Sequence, residues 1–275
     1  MGGKLSIVAT PIGNLGDITL RALKTLEQAD LVAAEDTRHT VKLLNHFEIK
    51  KKLVSFHEYS NEARYGELVG ALREGKHIAL VSDAGTPVIS DPGYGLVKRC
   101  VEEGIEVESL PGACAAVTAV TLCGMDCSRF SFYGFLNTKS GARKKELGEI
   151  RDAGKPCVIY ESPNRIVKTL KDICEICGKD VRVCACRELT KVYEEVVRGT
   201  AKEVLDVFAD REAVKGEFVL VVGAARHVRE ASEEEIVRAL QESLARGMTK
   251  KDAAAYVAAL LGVPKNRTYQ ILLDL

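Results

Sequence analysis

The chain has 275 residues, of which 46% are hydrophobic and 28% charged, enough to bury a substantial core and to form more than one domain. Thirty-nine basic side chains balance thirty-nine acidic ones, which excludes a global positive field, so any RNA contact must come from local patches. The N-terminus has no apolar signal core and the longest apolar-rich stretch, Ala113 to Gly124, is too short to span a bilayer. A cytoplasmic location with no membrane partner is expected.

Residues 5–9 read as a strand, followed by a Gly-rich loop from Thr10 to Gly16 and a helix opening near Asp17, with Ile18, Ala22, Leu23 and Leu26 on one face. The loop lacks the lysine of a Walker motif and the three-glycine spacing of a dinucleotide fingerprint. A second strand, 31–35, runs out into Glu35, Asp36, Thr37 and Arg38, and a third near 53–57 runs out into His57 and Glu58. In a parallel α/β sheet ligands collect at such carboxyl ends. Helix capping by Glu35 and Asp36, and a solvated helix face for Arg38, Asn61 and Arg64, are equally good readings of those residues, and His57 alone reads as a loop histidine. A helix over 62–73 leads to a fourth strand, 77–82.

That strand opens the stretch the chain is organised around, Ala79 to Gly93, ALVSDAGTPVISDPG. A buried strand stops there in a rigid loop with little side-chain bulk. Glycine lets a ligand approach the main chain, proline lowers the entropy lost on ordering, and Asp83 and Asp91 can accept hydrogen bonds from a polar or cationic group. A helix near 94–104, a strand near 107–110 and a helix starting after Gly112 in the small residues Ala113 to Ala116 complete this half. Alternating strands and helices predict a mainly parallel sheet with right-handed crossovers.

The second half changes character, with strands at 130–136 and 157–162 around a basic helix from Ser140. A helix over 164–177 follows, then strands near 181–186, 192–199 and 217–224, two of them without an intervening helix, which predicts antiparallel pairing and a mixed sheet. Nine cysteines without a secretory signal read as reduced core residues. A zinc site from Cys174, Cys177, Cys184 and Cys186 would lack knuckle-like spacing, so core packing is the preferred reading and no metal is expected. Beyond Arg226 the chain becomes charged, and helices starting at Ser232, Thr249 and Pro264 form a small appendix. Arg246, Lys250, Lys251, Lys265 and Arg267 fall near its helix junctions, where helix-turn-helix modules meet phosphates; a solvated bundle surface is the bland alternative. The domains expected are 1–112, 113–228 and 229–275.

Nine segments match one family in order: VATPIGNLGDIT at 8–19, AAEDTRHT at 33–40, HEYSNE at 57–62, VSDAGTPVISDPG at 81–93, LPGACA at 110–115, FYGFL at 132–136, YESPNR at 160–165, CRELTK at 186–191 and KGEFVLVVGA at 215–224. The chain resembles the ribosomal RNA small subunit methyltransferase I family of the tetrapyrrole methylase superfamily, with Cys114 where relatives often carry Ser or Thr. The resemblance implies a two-domain α/β fold with a small C-terminal helical module, and S-adenosylmethionine held between the domains. It implies a donor pocket of Pro11, Asp83, Ala84, Gly85, Thr86, Val88, Ile89, Cys114, Ala115, Tyr160, Glu161, Gly216 and Glu217. It further implies a homodimer that methylates the 2′-oxygen of a cytidine in the decoding region of small-subunit ribosomal RNA, free or in the assembled small subunit.

For such a reaction the candidate proton acceptors are Glu35, Asp36, His57, Glu161 and Glu188, which gather at strand ends, although each carboxylate could equally orient an arginine. Arg38, Asn61, Arg64, Arg165, Arg187, Lys191, Lys250 and Lys251 are the candidate RNA contacts. A uroporphyrinogen-type methylase and a non-catalytic RNA-binding assembly factor are the competing readings. The TPIGN, AEDTR and SDAGTP signatures and the appendix stand against the first, and the intact donor-type loop against the second.

Overall fold

The computed structural model describes residues 2–225, 232–261 and 263–275, which fall into two compact units, 1–225 and 226–275. The expected boundary at 228/229 lies outside the described residues.

The first unit contains two five-stranded sheets. The first is wholly parallel, in the order β3-β2-β4-β1-β5, with β1 Lys4–Val8, β2 Leu31–Ala34, β3 Leu53–Ser55, β4 His77–Val81 and β5 Glu106–Leu110. Alternation along the strands splits its core in two. Val8, Val32, Ala79 and Val81 meet Ala22 and Leu26 of α1 (Leu20–Gln28) and Leu44 of α2 (Thr37–His46). Leu5, Ala33, Ile78 and Leu80 meet Leu68 and Leu72 of α3 (Glu62–Arg73) and Leu96 and Cys100 of α4 (Tyr94–Glu102) on the other face. With helices on both faces, β2 is apolar throughout and β4 is so after His77, whereas β5 at the sheet edge carries Glu106 and Glu108.

This topology decides where a crevice opens. β1 and β4 are neighbours, but the chain leaves β1 toward α1 on one face and β4 toward α4 on the other. The two loops diverge and leave a gap beyond the carboxyl ends of the strands.

The second sheet runs β6-β7-β10-β8-β9, with β6 Ser131–Phe135, β7 Cys157–Glu161, β8 Arg182–Arg187, β9 Glu195–Thr200 and β10 Phe218–Val222. Only β6 and β7 pair in parallel; the remaining pairs are antiparallel, so the sheet is mixed as its sequence predicts. One face packs on α6 (Ser140–Asp152), α7 (Ile166–Ile176) and α8 (Ala201–Ala209), and the other on α5 (Ala115–Leu122). Cys184 and Cys186 project together onto the α5 face, their sulfurs 3.7 Å apart, while Cys174 and Cys177 pack against the opposite face. All nine cysteines are free.

Three helix starts differ from expectation. Asp17 is not the cap of α1: Asn14 first caps a single 3-10 turn over Leu15–Asp17, and Thr19 then accepts the Ala22 N–H at 3.0 Å. α5 starts at Ala115 rather than Ala113, and α7 at Ile166 rather than 164.

The second unit is a three-helix cluster of α9 (Glu233–Ala245), α10 (Lys250–Leu261) and α11 (Lys265–Leu273) around Ile236, Leu240, Ala253, Val257 and Leu272. Its first helix carries the expected cap, with Ser232 and Glu235 closing a capping box. Among the described residues no helix is long and apolar enough to cross a membrane.

Candidate active site

A cleft of about 440 Å³ lies between the carboxyl ends of the first sheet and the α5 face of the second. One wall is the central loop, which contributes Asp83, Ala84, Gly85, Thr86, Ile89, Ser90 and Asp91, joined by Ile12 of the first loop and Glu35 after β2. The opposite wall is built from Cys114 and Ala115 at the start of α5, Phe135 of β6, Tyr160 to Pro163 at the end of β7, Cys186 of β8, Leu189 and Lys191 after it, and Glu217 to Val219. Apolar surfaces alternate here with carboxylates and open backbone groups, a lining suited to a small ligand with an apolar ring, hydroxyls and a cationic centre.

Most of the residues expected at a donor pocket meet in this cleft, and three do not. Pro11 lies beside the wall while its neighbour Ile12 forms it. Val88 turns inward onto the core beneath α3 and α4, and Gly216 packs against the Glu188 side chain. Ser90, Phe135, Ser162, Leu189, Phe218 and Val219, and Cys186, which the sequence offers only as a core or zinc cysteine, also line the cleft though none is expected at a donor pocket. All seven lie within segments that carry the family resemblance, Phe218 and Val219 in KGEFVLVVGA, but nothing local in those segments says which side chains face the cleft.

The five candidate proton acceptors separate clearly. Asp36 caps α2 by accepting the Arg38 N–H at 2.8 Å, and its carboxylate is also held by the Arg38 guanidinium at 2.5 Å, which keeps it well below the usual carboxylate range. Glu161 is 2% exposed and fully engaged: it accepts from the Thr169 hydroxyl at 2.6 Å and the Ser162 N–H at 2.7 Å, with Arg165 Nε 3.2 Å away. Glu188 lies outside the cleft lining. Burial opposes its ionisation, but Lys191 Nζ at 2.9 Å and the Glu217 N–H at 2.9 Å outweigh it and hold the carboxyl low. His57 is an exposed loop residue whose N–H donates to Ser60 Oγ at 2.9 Å.

Glu35 alone of the five lines the cleft with a raised pKa, pushed up by burial and then by the charges of Asp83, Asp36 and Glu58, against the pull of the Asp83 N–H. A carboxyl outside that set is shifted further. Asp91 is pushed up to about 6 by burial, then by the Glu35 charge, although a hydrogen bond with Ser82 pulls the other way. Burial likewise lifts the Tyr160 phenol to about 12.

Several candidate RNA contacts are occupied within the fold. Arg165 donates to the carbonyls of Leu136 and Asn137 at 2.7 and 3.3 Å, and Arg187 pairs with Glu195 at 2.8 Å. Lys191 bridges Glu188 and Glu217 at 2.9 Å each, at the edge of the cleft. Asn61 caps α3 by accepting the Arg64 N–H at 3.0 Å, and Arg64 pairs with Glu67. Arg38 keeps 85% of its side-chain surface in solvent despite its pairing, and Lys250 and Lys251 are exposed at the start of α10.

Residues 4–205 match the family model for tetrapyrrole (corrin/porphyrin) methylases, and 230–275 match that for the RsmI C-terminal HTH domain. The ribosomal RNA small subunit methyltransferase I of Halalkalibacterium halodurans is 47% identical over 98% of this chain and 94% of its own length. The protein of that name from Haemophilus influenzae is 46% identical over 98% and 95%. The chain belongs to the ribosomal RNA small subunit methyltransferase I family. It is a methyltransferase, and S-adenosylmethionine is its methyl donor. A cobalt precorrin-4 methyltransferase shares the fold at a TM-score of 0.60 and 21% identity, over 80% of this chain and 94% of that one. A uroporphyrin-III C-methyl transferase from Thermus thermophilus, solved with S-adenosyl homocysteine, does so at 0.57 and 18%, over 80% and 97%.

Proposed function

We propose that the protein methylates the 2′-oxygen of a cytidine in the decoding region of small-subunit ribosomal RNA, acting in the cytoplasm as a homodimer. The observation that carries this reading is the pairing, in one chain, of a carboxylate-lined cleft at a topological switch point with a C-terminal segment matching a helix-turn-helix module. The names of the relatives supply the ribosomal RNA.

S-adenosylmethionine supplies a methyl group already activated on a sulfonium. The chain's own residues then have two tasks, alignment of the hydroxyl oxygen and removal of its proton. The apolar surfaces of Ile12, Leu189 and Val219 seat the donor and exclude water, and the carboxylates of Glu35 and Asp83 favour its positive charge. Asp91 takes the proton: it lines the same wall, and a carboxyl titrating near 6 is a stronger base than an ordinary one while still ionised at neutral pH. Arg38, Lys250 and Lys251 meet phosphates.

Incubation with labelled S-adenosylmethionine and, in parallel, small subunits, bare ribosomal RNA and a tetrapyrrole tests the reading. Label on a cytidine 2′-oxygen in the RNA is the expected result, and label on the tetrapyrrole alone would overturn it. Light scattering tests the dimer, and a monomer across the working concentration range would remove that part.

A further inference from the structure

Phe135 sits at the mouth of the donor cleft, lines it, and is still 59% exposed. In a regular strand Phe132 and Phe135, three residues apart, would point to opposite faces. Here they point to the same one. β6 pairs Phe132 with Val158 but Gly134 with Ile159, so Tyr133 is an extra residue, and the next pair is Phe135 with Tyr160. Such a bulge re-aims the side chains that follow it. Both phenylalanine rings therefore meet the Tyr160 ring edge-on, with centroids 5.1 and 5.6 Å away, while Tyr133 turns to the opposite core.

The bulge is tied to the central loop. Gly134 adopts φ +62°, and a Cβ there would fall 2.5 Å from Ser90 Oγ. Ser90 and Val88 are themselves non-glycine residues at φ +64° and +76°. Conformations of this kind persist only where surrounding structure enforces them. Two unfavourable backbone positions, Val88 and Ser90, and a glycine that only a missing Cβ allows thus converge where the result is a flat aromatic ring held at the cleft mouth, buttressed by Tyr160 and Phe132, with much of its surface left to solvent.

We propose that Phe135 is the platform on which the base of the nucleotide to be methylated stacks. The inference rests on RNA being the substrate. A ribose hydroxyl reaches a donor inside a cleft only if its nucleotide leaves the helical stack, and the base then loses stacking partners that an aromatic side chain replaces. Every base has a π-face, so the platform holds the nucleotide without choosing among bases.

The test measures methylation of small subunits and of bare ribosomal RNA by wild type, Phe135→Ala, Phe135→Leu and Phe135→Trp, with donor affinity by calorimetry. Phe135→Ala should raise KM for the RNA about five- to hundredfold, the range for loss of one base–aromatic stack. Phe135→Trp should restore it, Phe135→Leu should not, and donor affinity should stay within about twofold. Equal losses in donor and RNA affinity would assign the ring to the donor's own adenine and overturn the proposal. An unchanged KM in Phe135→Ala, or full rescue by leucine, would overturn it while leaving the RNA reading intact. If wild type labels no RNA, the reading fails and the platform with it.

Discussion

Thr10 and Gly85 exchange two backbone hydrogen bonds, Thr10 N–H to Gly85 O at 2.8 Å and Gly85 N–H to Thr10 O at 2.9 Å. The loops that leave β1 and β4 in opposite directions are thereby fastened across the gap between them, which makes one wall of the cleft a fixed surface. Gly85 holds φ +81°, and a Cβ there would meet Ile12 Cγ2 at 3.4 Å.

Replacing Gly85 should therefore injure donor binding as well as folding. Gly85→Val forces a β-branched residue into the left-handed region, costing about 1–2 kcal/mol of stability, and adds bulk beside Ile12 at the wall. Calorimetry should give a donor Kd at least about tenfold weaker, equivalent to about 1.4 kcal/mol. An unchanged Kd would place the donor elsewhere.

Asp91 should make the folded state sensitive to mild acid in an unusual direction. Its carboxyl rises from an ordinary 3.8 to about 6 on folding, so between those values the native chain holds more protons than the unfolded one. Stability from this group is complete below about pH 4 and is lost as pH rises through about 6. Asp91→Asn, which cannot ionise, should melt above wild type at pH 8 and converge with it near pH 4, while slowing methyl transfer at pH 8. Thermal melts across pH check the first expectation and a pH–rate profile the second; a constant offset in melting temperature would refute the titration argument.

Glu161 should prove to be a residue of stability before one of proton transfer. Its carboxylate satisfies the Thr169 hydroxyl and the Ser162 N–H and lies beside Arg165 with none of its own side chain exposed. Glu161→Ala leaves that arginine without its counter-charge and should cost about 3–5 kcal/mol. Glu161→Gln, which keeps the shape, should cost less. Urea midpoints at constant m-value make the comparison.

Lys250 and Lys251 stand in the first turn of α10, behind the Thr249 hydroxyl that accepts the Asp252 N–H at 3.2 Å. Cations at a helix N-terminus oppose the helix dipole, by about 0.3–1 kcal/mol each. Reversing both charges should thus raise the stability of the helical module while weakening RNA binding. It should also flatten the salt dependence, by about 0.7 per lost single-strand phosphate contact. Opposite signs in the melt and the salt titration separate a binding role from a folding one; unchanged RNA affinity and slope would remove the RNA-binding role of the lysines.

The element order was legible in the sequence because it depends on local periodicity and capping chemistry. The alternation of apolar strands with amphipathic helices, the helix at 62–73 and the capping box at Ser232 are written in residues close together in the chain. The central loop was legible for a similar reason, since its prolines and glycines fix the backbone locally. Tertiary structure decided the fate of individual polar groups. Asp36, Glu161 and Glu188 look alike as strand-end carboxylates; Asp36 takes its partner from Arg38 two residues on, but Glu161 is engaged by Thr169 from α7 and Glu188 by the Glu217 N–H from far along the chain, and only packing brings those together. Asp91 acquires its shift from burial and from Glu35, fifty-six positions away in the chain and brought near by the β2-β4 pairing. Phe135 faces the cleft only because a single extra residue in β6 reverses the parity of the strand, and that register is set by β7, not by β6 alone.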